Sequence, residues 1–207
     1  MAHCKMVMKN VSFLTTIFIL AFFIDACEGS YVYYRGFAFS GNYEDISLNF
    51  PYTKRLYETT KDEDNRSIFD REFYEFFKEN GDLISSFNLV MGESTDQSSK
   101  IAMAMALTRE GVSVEKIADV YKIVVNLFCN VIFLDFSNMT VISSYPVYLE
   151  YIDALRTEPK ENEILGIIKN LYFSEDFSIL KLIKERLPDF RLKHSANLNL
   201  KVEDSEF

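Results

Sequence analysis

The chain has 207 residues, of which 22 are Lys or Arg and 31 are Asp or Glu, for a net charge of −9. A surface this acidic repels phosphate backbones, and no basic stripe reverses the charge locally, so the composition argues against nucleic acid as a partner. The length is that of one domain with a sizeable core.

The first 29 residues have the pattern of a secretory leader. Lys5 and Lys9 precede fifteen uncharged and mostly apolar residues, 10–24. Such a pattern, followed by small residues, is typical of a signal peptide. A membrane-spanning helix needs about 20 apolar residues, and Asp25 ends this run too early. We therefore predict that residues 1–29 are a removed leader and that residues 30–207 form a single globular domain. The alternatives are a buried N-terminal helix and an uncleaved anchor.

Two cleavage sites compete at the end of the leader. Cleavage after Gly29 places the small residues Cys27 and Gly29 where signal peptidase reads them. Residues 24–26 resemble a bacterial lipobox at their aliphatic and alanine positions and depart from it at Asp25. Cleavage before Cys27 would make that cysteine the lipidation site. The two cleavage sites are kept as alternatives.

The roles of the internal cysteine and of two sequons depend on whether the chain is exported. Cys129 is the single thiol that lies well inside the predicted domain, and its apolar surroundings indicate a buried, inert group and not a reactive one. Asn65 and Asn138 begin glycosylation sequons, which matter only if a eukaryotic secretory pathway handles the chain.

The first half of the domain mixes strands, a loop and a helix. Residues 30–50 are rich in Tyr, Phe and Val and predict one or two strands with a turn at 40–42. Residues 58–67 contain no apolar residue and indicate an exposed loop. Asp62 and Asp64 within it lack the glycine and the distal glutamate of a calcium loop, so a solvated turn is favoured.

A helix is predicted next, with Ser67 as its cap and residues 80–81 as its end. Four phenylalanines recur at helical spacing on one side of it, which predicts core packing and not a cofactor site. They are Phe69, Phe73, Phe76 and Phe77. Residues 83–91 then predict a strand. Residues 100–111 suit either a helix by propensity or a buried strand by alternation, and we favour the strand because strong sheet signals follow.

The strongest pattern in the chain predicts a long hairpin over residues 121–152. Odd positions from Tyr121 to Phe133 are all apolar, which indicates one buried face. A strand of this length would measure about 50 Å, so we expect a bend or bulge near Asn126 or Asn130. The turn follows Asp135, and Pro146 places the returning arm at an edge or bulge. Residues 133–145 resemble the hairpin of TolB N-terminal and CsgG-type envelope domains.

Two helices and a tail complete the domain. The first is predicted from about Thr157, with an apolar stripe through residues 164–172, and the second from near Ser174 to Pro188. The tail after Arg191 alternates weakly and could add a last strand. These elements predict an α/β (α+β) fold, a two-layer sandwich whose sheet is mixed and mainly antiparallel, with a long hairpin and helices mostly on one face.

The sequence contains no recognisable catalytic constellation. His194 stands without a nucleophile motif, and residues 92–100 lack the lysine-containing ending of a phosphate loop. Clustered zinc ligands are missing, and Glu72 and Glu75 belong to a helix surface. We therefore predict no catalytic, cofactor-binding or metal-binding residues, and we favour a protein without enzyme activity.

Three functions remain open at this stage. We expect an exported protein of a bacterial envelope, periplasmic or held by an N-terminal lipid and otherwise extracellular, that binds another envelope protein or assists an assembly. One alternative is an exported hydrolase that uses paired carboxylates in a cleft. The other is a carrier whose aromatic residues line a cavity for an apolar ligand.

Overall fold

The computed structural model describes residues 31–91 and 101–192. In these ranges the strands are β1 (Tyr31–Phe39), β2 (Asn88–Val90), β3 (Ile101–Ile117), β4 (Val120–Asp135) and β5 (Thr140–Leu155). The helices are α1 (Ile46–Asn49), α2 (Pro51–Thr59), α3 (Ile68–Asn80), α4 (Glu161–Phe173) and α5 (Ile179–Arg186). Short 3-10 turns occupy Tyr43–Asp45, Gly81–Leu83 and Leu187–Asp189.

The strands form one mixed sheet in the order β2-β1-β3-β4-β5. β1 runs parallel to both β2 and β3, whereas β3, β4 and β5 form an antiparallel meander. The buried residues of the five described helices pack into one core with one face of this sheet. The architecture confirms the predicted two-layer α+β sandwich with its long hairpin.

β4 follows the predicted alternation from Ile123 to Phe133, whereas Tyr121, predicted on the same buried face, is half-buried. Its odd residues from Ile123 to Phe133 are buried, and the even residues between them are only half-buried. The expected irregularity lies in the neighbouring strands: Thr108 of β3 and Ile142 of β5 are the extra residues where the register shifts. Among the described strands β5 lies at an edge of the sheet, one of the two positions predicted from Pro146, and this proline lies opposite Asn130. An edge tolerates proline because its backbone nitrogen has no ladder bond to make.

The predicted helix over residues 67–81 is confirmed as α3. The Ser67 hydroxyl accepts a hydrogen bond from the Asp70 amide at 3.1 Å, which caps the helix. Phe69, Phe73 and Phe77 are at most 1% exposed, whereas Phe76 is half-buried. The phenylalanine cluster is therefore core, as its spacing predicted.

One strand, β1, accounts for the one or two strands predicted over residues 30–50. After the turn at 40–42 the chain becomes helical, through α1 and then α2. α2 was not predicted, although Pro51 stands at its first turn, where proline suits a helix. The backbone amides of its first turn donate hydrogen bonds to the side chain of Glu110, which is too distant in the chain for a local pattern to indicate.

Two further boundaries move and one ambiguity is resolved. Within residues 83–91 only Asn88–Val90 form a strand. The last helix begins at Ile179, capped by the Ser178 hydroxyl, and not near Ser174. Residues 101–117 form the favoured strand, because β1 and β4 pair with its two sides and override the helical propensity of its alanines and methionines.

Candidate binding face

The face of the sheet opposite the helices carries the candidate site. Side chains of a strand alternate between faces, so the even residues of β4 point away from the helical layer. Residues paired across an antiparallel ladder share a face, which adds residues of β3 and β5 to this surface. We name it the open face and define it by Arg109, Asn126, Phe128, Tyr148, Glu150 and Ile152.

An aromatic and cationic row crosses the middle of the open face. The guanidinium carbon of Arg109 lies 4.1 Å from the centroid of the Phe128 ring. The Tyr148 ring packs on the same phenylalanine, with centroids 4.3 Å apart and planes 32° from parallel. A cation over an aromatic ring contributes about 0.5–1 kcal/mol at an exposed site. Tyr148 is nevertheless 46% exposed, so the row presents aromatic surface to the solvent.

Polar groups hold the tyrosine in this row. Its hydroxyl lies 2.7 Å from Oδ1 of Asn126 and 2.6 Å from Oε2 of Glu150, and it can donate its proton to one of them at a time. The hydrogen bond to the Glu150 carboxylate is the main cause that raises the pKa of Tyr148. The phenol therefore stays neutral, and these hydrogen bonds set the orientation of its ring.

A surface groove of about 380 Å³ adjoins the row near the free edge of β5. Arg186 reaches it from α5, and its Nη1 donates a hydrogen bond to the Pro146 carbonyl at 2.7 Å. The groove thus combines aromatic rings and a guanidinium group, both of which are enriched at protein interfaces, with the amide of Asn130. Its lining comprises Thr108, Phe128, Cys129, Asn130, Pro146, Val147, Tyr148 and Arg186.

A buried polar cluster lies on the opposite, helical side of the sheet. Glu110 of β3 accepts hydrogen bonds from the backbone amides of Tyr52 at 2.9 Å and Thr53 at 2.8 Å, in the first turn of α2. The Thr53 hydroxyl lies 3.2 Å from that of Tyr172 in α4. Burial raises the pKa of Glu110, and the hydrogen bonds from Thr53 and Tyr52 oppose that rise. Because both carboxylate oxygens bind backbone amides, the cluster joins α2 to the sheet.

Cys129 belongs to the edge of this cluster. Its side chain is 1% exposed and lies beside the Tyr172 hydroxyl. Burial raises the pKa of the thiol far above its usual value, so the reactive thiolate is scarce. The prediction that this thiol is buried is confirmed.

A second carboxylate, Asp70, is also bonded within the fold. Its Oδ2 accepts hydrogen bonds at 2.8 Å from the hydroxyls of Tyr57 and Ser67. The hydroxyl of Tyr34 nearby is buried and has no hydrogen-bond partner among the described residues. Burial, and secondarily the charge of Asp70, raise the pKa of Tyr34. Asp70 therefore serves the start of α3 and the packing of these tyrosines.

The residues singled out by sequence occupy exposed turns and helix surfaces or lie outside the described ranges. Asn65 and Asn138 are both exposed, and Asn138 donates from Nδ2 to Asp135 at 3.1 Å. Cys27, His194, residues 92–100 and the tail from residue 193 fall outside the description. None of these residues joins the open face in the described part of the chain.

The acidic pairs also serve local structure. Oδ1 of Asp62 accepts from the amides of Asp64 and Arg66 at 3.0 and 2.9 Å, which closes a turn. These bonds, led by the one from Arg66, lower the pKa of Asp62. On the surface of α3, Glu72 pairs with Arg71, and Glu75 with Lys78. Residues 31–91 and 101–192 contain no group of three or more side chains suited to hold a metal ion.

Local sequence patterns do not indicate which residues meet on the open face. Arg109 lies within the ambiguous stretch 100–111, and the hairpin pattern places Phe128 and Tyr148 in two strands without indicating that they meet. The one available signal was the polar alternation of Asn126 and Asn130 around Phe128, which marks a face that is not core. In the described ranges, no helix is long and apolar enough to cross a membrane.

Comparisons with known proteins identify no family for this chain. No family model matches it, and neither does any curated protein. A minor lipoprotein from Acinetobacter baumannii aligns over 77% of this chain and 93% of its own at 8% identity, with a TM-score of 0.36. A lipoprotein from Neisseria meningitidis covers 68% and 93% at 12% identity, with a TM-score of 0.26. A Xanthomonas campestris protein covers 78% and 80% at 7% identity, with a TM-score of 0.35. These scores are too low to carry an argument about function.

Proposed function

We propose that this chain is an exported, non-catalytic binding module of a bacterial cell envelope and that the open face contacts another envelope protein. The leader over residues 1–29 supports export. The observation that carries the binding role is the row of Arg109, Phe128 and Tyr148, which is ordered by its own contacts yet open to solvent. Tyrosine and arginine are the residues that most often dominate binding energy at interfaces.

The chemistry of the carboxylates favours this role over a hydrolase. Paired-carboxylate catalysis requires two carboxyl groups facing a cleft, one of them free to transfer a proton. Glu110 binds two backbone amides, and Asp70 binds two hydroxyls. These two carboxylates therefore accept hydrogen bonds from neighbouring groups of the fold.

The packing of the aromatic rings favours this role over an apolar carrier. Phe69 has its ring centroid 4.8 Å from those of Phe37 and Tyr172, and 5.2 Å from that of Phe173. At such distances the rings contact one another and fill the space between the helices and the sheet. They contribute to core stability in the way that their helical spacing predicted.

Export is tested by the intact mass of protein purified from its native envelope. We expect a chain that begins at Cys27 with attached acyl groups, or at Ser30 without them. Either product keeps the domain whole. Recovery of the full 24.1 kDa chain from the cell interior would contradict the export half of the proposal.

Binding is tested by placing a photo-crosslinking amino acid at position 148 and, as a matched control, at position 177. Tyr148 and Phe177 are 46% and 48% exposed, but Phe177 lies outside the open face. We expect a discrete crosslinked product in intact cells from position 148 alone. Once that product is identified, Arg109→Glu should weaken the purified complex by at least about tenfold. Equal products at both positions, or unchanged affinity in the variant, would refute the role of the open face.

A further inference from the structure

Among the described strands, β5 has a partner on one side only, so its other edge carries the backbone groups considered next. In an antiparallel ladder every second residue directs its N–H and C=O away from the partner strand. The Pro146 carbonyl is bound by Arg186 from outside the ladder, and the Ala154 amide is bound by the Asp153 side chain at 2.7 Å. The backbone N–H and C=O groups of the even-numbered residues of β5 therefore point away from β4. Side chains bind the outward backbone groups at Pro146 and Ala154. Between these two positions, the outward backbone groups belong to Tyr148, Glu150 and Ile152.

The described chain ends beside this edge. The Arg191 amide donates to the Tyr145 hydroxyl at 2.5 Å, and its carbonyl accepts from the hydroxyls of Tyr145 at 2.8 Å and Ser143 at 3.2 Å. Both partners belong to the first half of β5. The chain beyond Leu192 therefore starts next to the edge, on its helical side, before the open stretch of backbone.

The remaining segment has the length and pattern of an edge strand. Leu198, Leu200 and Val202 alternate with polar residues, the period of a strand with one buried face. The five residues from 193 to 197 can span about 17 Å, and the stretch from Tyr145 to Tyr148 measures about 10 Å. Residues 198–202 can therefore reach the open positions without strain.

The edge offers matching surfaces to both sides of such a strand. On the helical face, Tyr151 and Leu155 are half-buried at the margin of the core and could be covered by the three apolar side chains. Lys201 would then lie on the open face, the same face as the negatively charged Glu150. Apolar cover and an opposite charge across a ladder both favour pairing.

We infer that residues 197–203 add to the sheet as a sixth strand, parallel to β5, and cover its free edge. The direction follows from the starting point, since a chain that leaves beside Tyr145 and runs towards Ile152 follows the direction of β5. The added strand would supply partners for a long edge that otherwise invites pairing with other chains. The inference goes beyond the proposed function because it concerns the edge and needs no partner protein.

Amide hydrogen exchange of the full chain tests this inference. The amides of Tyr148, Glu150 and Ile152 should exchange at least about tenfold more slowly than in the full-length variant Leu200→Pro, which loses a ladder donor. Ser205→Pro, beyond the proposed strand, should leave them protected. Amides of Leu149 and Tyr151, which face β4, should not change in either variant and report that the fold is intact.

Two outcomes would overturn the inference. Equal exchange of the three edge amides in the wild-type chain and in Leu200→Pro would show that residues 197–203 do not pair with β5. Protection that disappears on dilution would show that the edge is covered by a second copy of the chain, because only an intermolecular contact depends on concentration.

Discussion

Phe69→Ala is expected to lower the free energy of unfolding by about 3–5 kcal/mol, the usual cost of emptying a fully buried phenylalanine site. Phe69 is 0% exposed and lies where α3, α4 and β1 meet. Its ring contacts Phe37 of the sheet and Tyr172 and Phe173 of α4. Removing it leaves a cavity that none of these backbones can close, since each is held by other contacts.

Urea denaturation measures this effect, with Phe76→Ala as the matched control. Both residues belong to α3, so the helix-propensity change is identical. Phe76 is only half-buried and stacks edge-on with Phe77 at 5.1 Å, so its loss should cost clearly less. A Phe69→Ala variant that is no less stable than Phe76→Ala would show that the two helices and the sheet do not meet at this ring.

Glu110→Ala is expected to destabilise the chain by about 2–4 kcal/mol, because it leaves the amides of Tyr52 and Thr53 without their acceptor. Those amides lie in the first turn of α2, where a carboxylate also interacts favourably with the helix dipole. Urea denaturation at neutral pH measures the loss. The control is Glu115→Ala, which removes an exposed carboxylate from the same strand and should change stability by less than about 0.5 kcal/mol.

The same carboxyl group predicts a pH dependence of stability. Burial raises the pKa of Glu110 in the folded state above its usual value of 4.5. A raised folded pKa means that the proton adds stability below the unfolded pKa, and that this contribution is lost as the pH rises through the folded value. The free energy of unfolding of the wild-type chain relative to Glu110→Gln should therefore be highest near pH 4 and decline towards pH 7. A difference that is constant or rises with pH would contradict the assignment.

Local patterns in the sequence predicted the hairpin and α3 correctly. The alternation from Ile123 to Phe133 can be read without any partner, because one buried face imposes a period of two on a strand. Ser67 and the phenylalanine spacing likewise define α3 within its own residues. In these elements the spacing of nearby residues is enough to predict the secondary structure. The fold class could therefore be predicted from them.

The missed features depend on residues that are distant in the chain. α2 relies on Glu110, which lies 58 residues from Tyr52, and no spacing within residues 51–59 indicates that acceptor. The last described helix begins at Ile179 with Ser178 as its cap, and not near Ser174, since the buried position of Ile179 decides which serine can cap it. Tertiary contacts chose between local alternatives in both places.

The sequence by itself determined the leader pattern, the acidic composition, the hairpin and the helix with its phenylalanine core. Only the tertiary structure decided where Arg109, Phe128 and Tyr148 meet, because the registers of three strands and the extra residue Thr108 align them. Side-chain periodicity reports which residues share a face of one strand. It does not report which residues of another strand lie opposite, and the open face exists only through that pairing.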